Sequence, residues 1–126
     1  MILLSNASDK PIYEQISEQY KQHILNGKLS PGEALPSIRA LARELKISVM
    51  TTKRAYADLE RDGFIETVPA KGSFVAQRNQ DFLREALLTN VEQHLTKAIH
   101  FAKMANVSQD ELQQLLALLL EDERDD

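Results

Sequence analysis

The chain has 126 residues, 43% apolar and 27% charged, a balance that fits a folded globular protein and excludes a disordered or fibrous one. It contains no cysteine, which removes disulfides, thiolate metal sites and thiol nucleophiles. The net charge of −4 argues against a nucleic-acid partner only on average, because residues 1–75 carry ten Lys/Arg against nine Asp/Glu while 76–126 carry five against ten.

The apolar start Met1-Ile2-Leu3-Leu4 has no basic flank and gives way at once to Ser5-Asn6, so it lacks the make-up of a signal peptide. No stretch approaches the roughly 20 apolar residues of a membrane span, and a cytoplasmic chain without membrane contact is the expectation. Pro11 suits a first helical turn. Ile12, Ile16, Tyr20 and Ile24 then recur at helical spacing until Asn26-Gly27, which predicts a first helix. Lys28–Pro36 holds two prolines and a glycine and predicts an ordered loop whose Leu29 and Leu35 plug the core.

Ser37 offers a hydroxyl N-cap, and Ile38, Leu41, Ala42 and Leu45 give a short second helix over about 37–45 an apolar face. Lys46-Ile47 predicts a tight connection. Ser48 is a second N-cap, and Ala55, Tyr56 and Leu59 face inward along a third helix that runs to Gly63. Two short helices joined this closely follow the helix-turn-helix plan, in which the second helix enters the major groove of DNA. Beyond Gly63 the period becomes alternating, so Phe64–Val68 and Ser73–Ala76, joined by Pro69-Ala70-Lys71-Gly72, predict a hairpin. Two strands are barely stable alone, and Phe64, Ile65, Phe74 and Val75 are expected to lean on the helices as a wing.

From Gln80 onward there is no Gly or Pro. Phe82, Ala86, Leu87, Val91, Leu95, Ala98, Ile99 and Ala102 form a heptad-like stripe to about Ala105, and Asn106-Val107 interrupts it. Ser108 with Glu111 is a capping box that starts another helix. Leu112, Leu115, Leu116, Leu118, Leu119 and Leu120 are more leucines than one face of a monomeric helix uses. The expectation is a homodimer closed through Leu87, Val91, Leu95, Ile99, Leu112, Leu115, Leu116 and Leu119. The acidic end, Glu121–Asp126, suits solvent and disfavours an anionic lipid surface. The predicted fold is mainly α with a small β-hairpin wing: a winged helix-turn-helix over 1–77, then a two-helix dimerisation segment over 78–126.

Chemistry is concentrated at the second and third helices, where residues 39–54 hold five basic side chains (Arg39, Arg43, Lys46, Lys53, Arg54) against one acidic, Glu44. Ser48, Thr51 and Thr52 are expected to donate to phosphate, Lys53 and Arg54 to supply charge, and Arg39 to clamp the backbone or reach a base. Lys71-Gly72 at the wing tip is placed to enter the minor groove, Gly72 permitting the turn. His94 and His100 are six apart, which does not put them on one helix face, and no zinc motif accompanies them or His23, so no metal or cofactor is expected. The glycine-rich nucleotide loops and the GxSxG elbow are missing too, leaving an enzyme without a reactive constellation. A protein-docking module with a leucine-rich tail is the competing class.

The pieces Pro11-Ile12-Tyr13-Glu14-Gln15-Ile16, Leu35-Pro36-Ser37-Ile38-Arg39-Ala40-Leu41-Ala42, Ile47-Ser48, Thr51-Thr52, Arg54-Ala55-Tyr56, Leu59-Glu60, Gly63-Phe64-Ile65 and Gly72-Ser73-Phe74-Val75 stand in the order found in GntR regulators. Over about half its length the chain thus resembles this bacterial family. The resemblance implies a dimeric winged-helix repressor on an inverted-repeat operator, with double-stranded DNA contacted by Arg39, Ser48, Thr51, Lys53 and Gly72, and by Ser37, Met50 and Lys71. One departure is Val49, where many members carry arginine; Val49 or Met50 is expected to touch a thymine methyl instead. With only about fifty residues after the wing, the chain is similar to the short YtrA branch, whose two C-terminal helices mainly dimerise and whose members often control transporter operons. A small-molecule effector, if there is one, is expected between those helices at the dimer interface.

Overall fold

A computed structural model describes residues 1–77 and 80–124. In chain order the elements are α1 (Ile12–Leu25), α2 (Ile38–Leu45), α3 (Val49–Arg61), β1 (Ile65–Val68), β2 (Gly72–Val75), α4 (Gln80–Met104) and α5 (Gln109–Arg124). They fall into two compact units, Met1–Ala86 and Leu87–Asp126.

The core of the first unit is assembled from the periodic apolar positions of its helices. Ile16, Tyr20 and Ile24 of α1, Leu41 and Ala42 of α2, and Ala55, Tyr56 and Leu59 of α3 are all buried, with α3 packed against both other helices. Tyr20 and Tyr56 pack edge to face, ring centroids 6.1 Å apart. The Tyr56 hydroxyl donates to the Pro36 carbonyl at 2.7 Å, and burial pushes both phenols up from their ordinary pKa.

The connection between α2 and α3 is two caps back to back. Lys46 takes a left-handed φ of 57°, and the Lys46 and Ile47 amides return to the Arg43 and Ala42 carbonyls at 3.3 and 3.0 Å. Glycine usually holds this position, so a lysine there costs about 1 kcal/mol. Two residues later the Ser48 hydroxyl accepts the Thr51 amide at 3.0 Å and α3 begins. Ser37 opens α2 in the same way, accepting the Ala40 amide at 3.1 Å.

Gly63, at φ 83°, ends α3 and turns the chain into β1. Phe64, Ile65 and Val75 are then buried against the helices. The strands are antiparallel, Ile65 opposite Val75 and Val68 opposite Gly72. The tight turn spans Val68–Lys71, closed by the Lys71 amide on the Val68 carbonyl at 3.0 Å. Its left-handed residue is Ala70, φ 66°, while Gly72 has its own positive φ of 116° at the start of β2. The turn expected to depend on Gly72 therefore depends on Ala70 as well.

The loop before α2 is more than a connection. Its Gly32 amide donates to Val75 at 2.8 Å, Glu33 accepts from Val75 at 2.8 Å, and the Leu35 amide donates to Ser73 at 2.9 Å. Residues 32–35 thus lie along the free edge of β2 and tie the wing to the start of α2. Leu35 is buried as expected, and Leu29 is half-buried. At the other end of the unit, two side-chain amides one helical turn apart clip the N-terminal segment onto α1. Gln15 bonds the amide and carbonyl of Ser5 at 2.9 and 3.0 Å, and Gln19 bonds those of Leu3 at 2.8 and 2.6 Å.

Along α4, Leu83 is 2% exposed and belongs to the first unit, whereas Phe82, the residue read as the start of the stripe, is 49% exposed. α4 ends at Met104, and the turn after it is closed by Asn106, φ 58°, with the Val107 amide on the Ala102 carbonyl at 2.8 Å. Ser108 then caps α5, accepting the Glu111 amide at 3.1 Å. Among the described residues of the second unit, Ala102 is the only buried apolar side chain.

One ion pair ties α1 to the end of α3: Lys21 Nζ lies 2.7 Å from Asp62 Oδ2, and the lysine also sits over the Phe64 ring. Burial alone would raise the Asp62 carboxyl, but hydrogen bonds and charge from Lys21 and Arg61 hold it below its ordinary value of 3.8. The pair therefore stabilises the fold fully above that value, and the contribution is lost as pH falls through the lower folded-state value. Asp62→Asn should cost about 1 kcal/mol near neutral pH and flatten the acid limb of the stability curve. Thermal melts from pH 2 to 7 check this, and an unchanged midpoint at neutral pH would contradict it.

Candidate nucleic-acid interface

The burial of Thr52, Ala55, Tyr56 and Leu59, at spacings of three, one and three, fixes the phase of α3. Its opposite face turns outward with Val49, Met50, Lys53, Arg54 and Ala57, and Met50 is 71% exposed. Thr52, expected to donate to phosphate, is fully buried and gives its hydroxyl hydrogen to the Ser48 carbonyl at 3.2 Å. It is a core residue of the helix start. Ser48 and Thr51 share a hydroxyl–hydroxyl bond of 2.7 Å at the edge of the exposed face.

The expected residues fall into three groups. Ser48, Met50, Thr51 and Lys53 share the start of α3, Ser37 and Arg39 the start of α2, and Lys71 and Gly72 the hairpin turn. All except the half-buried Thr51 are exposed. Their cations differ in pairing from three others of the unit, though Lys28 and Arg84 share the lack of a carboxylate partner among the described residues. Lys10 pairs with Glu18, Lys21 with Asp62, and Arg61 with Asp58 and Asp62. Among the described residues no carboxylate pairs with Arg39, Arg43, Lys46, Lys53 or Lys71. Cations left without internal partners keep their full charge for an anion outside.

The expected list omitted Tyr13. The Arg54 guanidinium lies 3.7 Å from the Tyr13 ring centroid, and its Nη2 donates to the Tyr13 hydroxyl at 3.0 Å. Tyr13, Met50, Thr51, Lys53, Arg54 and Ala57 line one open cleft. Spacing along α1 does not announce this pair, because its members are 41 residues apart.

The expected dimer residues belong to the second unit. Leu87 and Leu112 are half-buried, while Val91, Leu95, Ile99, Leu115, Leu116 and Leu119 are 44–53% exposed. Leu118, Leu120 and Phe101 add to the uncovered apolar surface. Among the described residues no group of His, Asp and Glu is placed to hold a metal. His94 Nδ1 lies 2.7 Å from the Asn90 carbonyl, His100 packs edge-on to Phe101, and burial, the N-terminus and Lys28 lower the pKa of His23. Among the described residues no helix is long and apolar enough to cross a membrane.

The family model for bacterial regulatory proteins, gntR family, matches residues 12–75, from the start of α1 to the end of β2. The HTH-type transcriptional repressor YtrA of Bacillus subtilis is 36% identical over 114 residues, which cover 90% of this chain and 88% of that protein. The solved structure of YtrA from Sulfolobus acidocaldarius, a GntR-family transcription factor, is 31% identical and covers 96% of this chain and 97% of that one, with a TM-score of 0.60. The structure of AraR(DBD) in complex with operator ORX1 is 28% identical, covers 60% of this chain and 95% of that one, and has a TM-score of 0.53. Helix-turn-helix, wing and sequence agree: the chain belongs to the GntR family of bacterial regulatory proteins and is a DNA-binding transcription regulator, not an enzyme.

Proposed function

We propose that the chain is a homodimeric cytoplasmic repressor that reads an inverted-repeat operator, with residues 1–77 as the DNA-binding domain and 78–126 as the dimerisation segment. The observation that carries this reading is the set of cations on α2, α3 and the wing without carboxylate partners. α3 enters the major groove, where Lys53 meets phosphate and Met50 lies against base edges. Ser48 and Thr51 sit at the capped helix start, whose amides favour a phosphate oxygen. Ser37 and Arg39 approach from α2, and Lys71 and Gly72 bring the wing to the minor groove. The similarity to AraR(DBD), solved on operator DNA, supports the placement of the domain, and the similarity to a protein named a repressor supports the sign of regulation.

Dimerisation is supported by the second unit's want of a core. A pair of helices that leaves its leucines about half exposed cannot hold itself together by burial. A second copy, joined through Leu87, Val91, Leu95, Ile99, Leu112, Leu115, Leu116 and Leu119, would cover them. Two copies then place their recognition helices about one helical turn of DNA apart, roughly 34 Å. A transporter operon is the expected target, and any small-molecule effector would act between the helices of the dimer.

Arg39→Ala and Lys53→Ala are each expected to weaken binding to duplex DNA from upstream of the protein's own gene by roughly tenfold. Each should also reduce the slope of log affinity against log salt by about one. Fluorescence anisotropy across a salt series measures both; variants with wild-type affinity and slope would remove these residues from the interface. Leu95→Glu combined with Leu116→Glu should convert the chain to a monomer in sedimentation at micromolar concentration while leaving the first unit folded. A wild-type chain that sediments as a monomer there would contradict the assembly.

A further inference from the structure

We propose that Arg54, held by Tyr13 of the first turn of α1, is a preset phosphate clamp that adds a contact from α3 to the DNA-reading surface. Tyr13 is the positioning residue. The inference rests on the DNA-reading surface argued above and adds a contact to it.

Three observations support the clamp. The guanidinium carbon lies 3.7 Å from the Tyr13 ring centroid and the group also donates one N–H to the Tyr13 hydroxyl at 3.0 Å, so a side chain that otherwise samples many rotamers is confined by two interactions. A guanidinium carries five N–H donors and Tyr13 takes one, which leaves the others for a phosphate. The other cation over an aromatic ring among the described residues, Lys21 over Phe64, comes with a carboxylate, Asp62. Arg54 has none among the described residues, and neither has its neighbour Lys53, whereas Arg61 two turns later is taken up by Asp58 and Asp62. Finally, the clamp opens onto the cleft that Met50, Thr51 and Lys53 also line, which puts it beside the residues proposed to read DNA.

Arginine serves here better than lysine would, since the planar guanidinium can stack and present a fork to phosphate together. Ordering the side chain before DNA arrives removes part of the entropy lost on binding. A phosphate contact is indifferent to base sequence, so its loss must appear equally on any duplex.

The test uses the full chain, a labelled duplex from upstream of its own gene and a random-sequence duplex of equal length, read by anisotropy across a salt series. Arg54→Ala should weaken both complexes about tenfold and reduce the salt slope by about one. Arg54→Lys should keep the slope but lose part of the affinity. Tyr13→Ala should weaken both complexes about two- to fivefold, Tyr13→Phe much less, and Arg54→Ala should cost less in the Tyr13→Ala background than alone. Wild-type affinity and slope for Arg54→Ala would overturn the clamp, as would strictly independent effects of the two substitutions. A fall in affinity accompanied by a lower thermal midpoint with no change in slope would make the pair a packing device and overturn it too. Weak binding confined to Arg39→Ala and Lys53→Ala would sink the clamp alone, whereas a wild-type chain that ignores both duplexes sinks the surface on which it rests.

Discussion

Ser48 holds the start of α3 with both of its polar groups, the hydroxyl accepting the Thr51 amide at 3.0 Å and the carbonyl accepting the Thr52 hydroxyl at 3.2 Å. The first bond fixes where the helix begins, and the second fixes which side of it is core. With Thr52, Ala55, Tyr56 and Leu59 turned inward, Met50, Lys53 and Arg54 have no choice but to face outward. The left-handed turn at Lys46 sets α2 immediately before this cap, and that brings Ser37 and Arg39 into the same motif. Local hydrogen bonding thus decides the surface, while the aromatic core of Tyr20 and Tyr56 keeps the helices in place.

An acidic protein that binds DNA is an apparent contradiction, and it is resolved at the level of pairs. At physiological ionic strength a charge acts over about 8 Å, so a phosphate senses its immediate neighbours rather than the net charge. In the first unit Glu18, Asp58 and Asp62 are held in ion pairs, and their partners are Lys10, Lys21 and Arg61. Arg39 and Arg43 of α2, Lys53 and Arg54 of α3 and Lys71 of the wing have no carboxylate partner among the described residues. Exposed pairs contribute little to stability in any case, so leaving these cations unpaired costs the fold little.

Much of this was legible in the sequence because it is local. Serine caps at 37, 48 and 108, the spacing of Ile16, Tyr20 and Ile24, and the change of period after Gly63 all depend on near neighbours. The burial of Thr52 was legible too, since it stands three before Ala55 and seven before Leu59, but its hydroxyl suggested a solvent role. What spacing along the chain could not reveal are contacts between distant segments: Arg54 on Tyr13, Lys21 on Asp62, and the loop 32–35 along β2. The left-handed residues Lys46, Ala70 and Asn106 were hidden for another reason, as none is the glycine that would mark such a position. On α4 the heptad pattern named Phe82 where the first unit buries Leu83, because a stripe that serves two environments does not keep one phase.

The two units divide the work by what each lacks. The first is complete in its core and unsatisfied in its charges, and the second is uncovered in its apolar surface. The central claim, that α2, α3 and the wing meet DNA, is tested most directly by amide NMR shifts of the labelled full chain as duplex is added at low salt. The account predicts the largest changes at residues 37–39, 48–54 and 71–72, with α5 nearly unmoved. Changes confined to α4 and α5, or none at any residue, would contradict it.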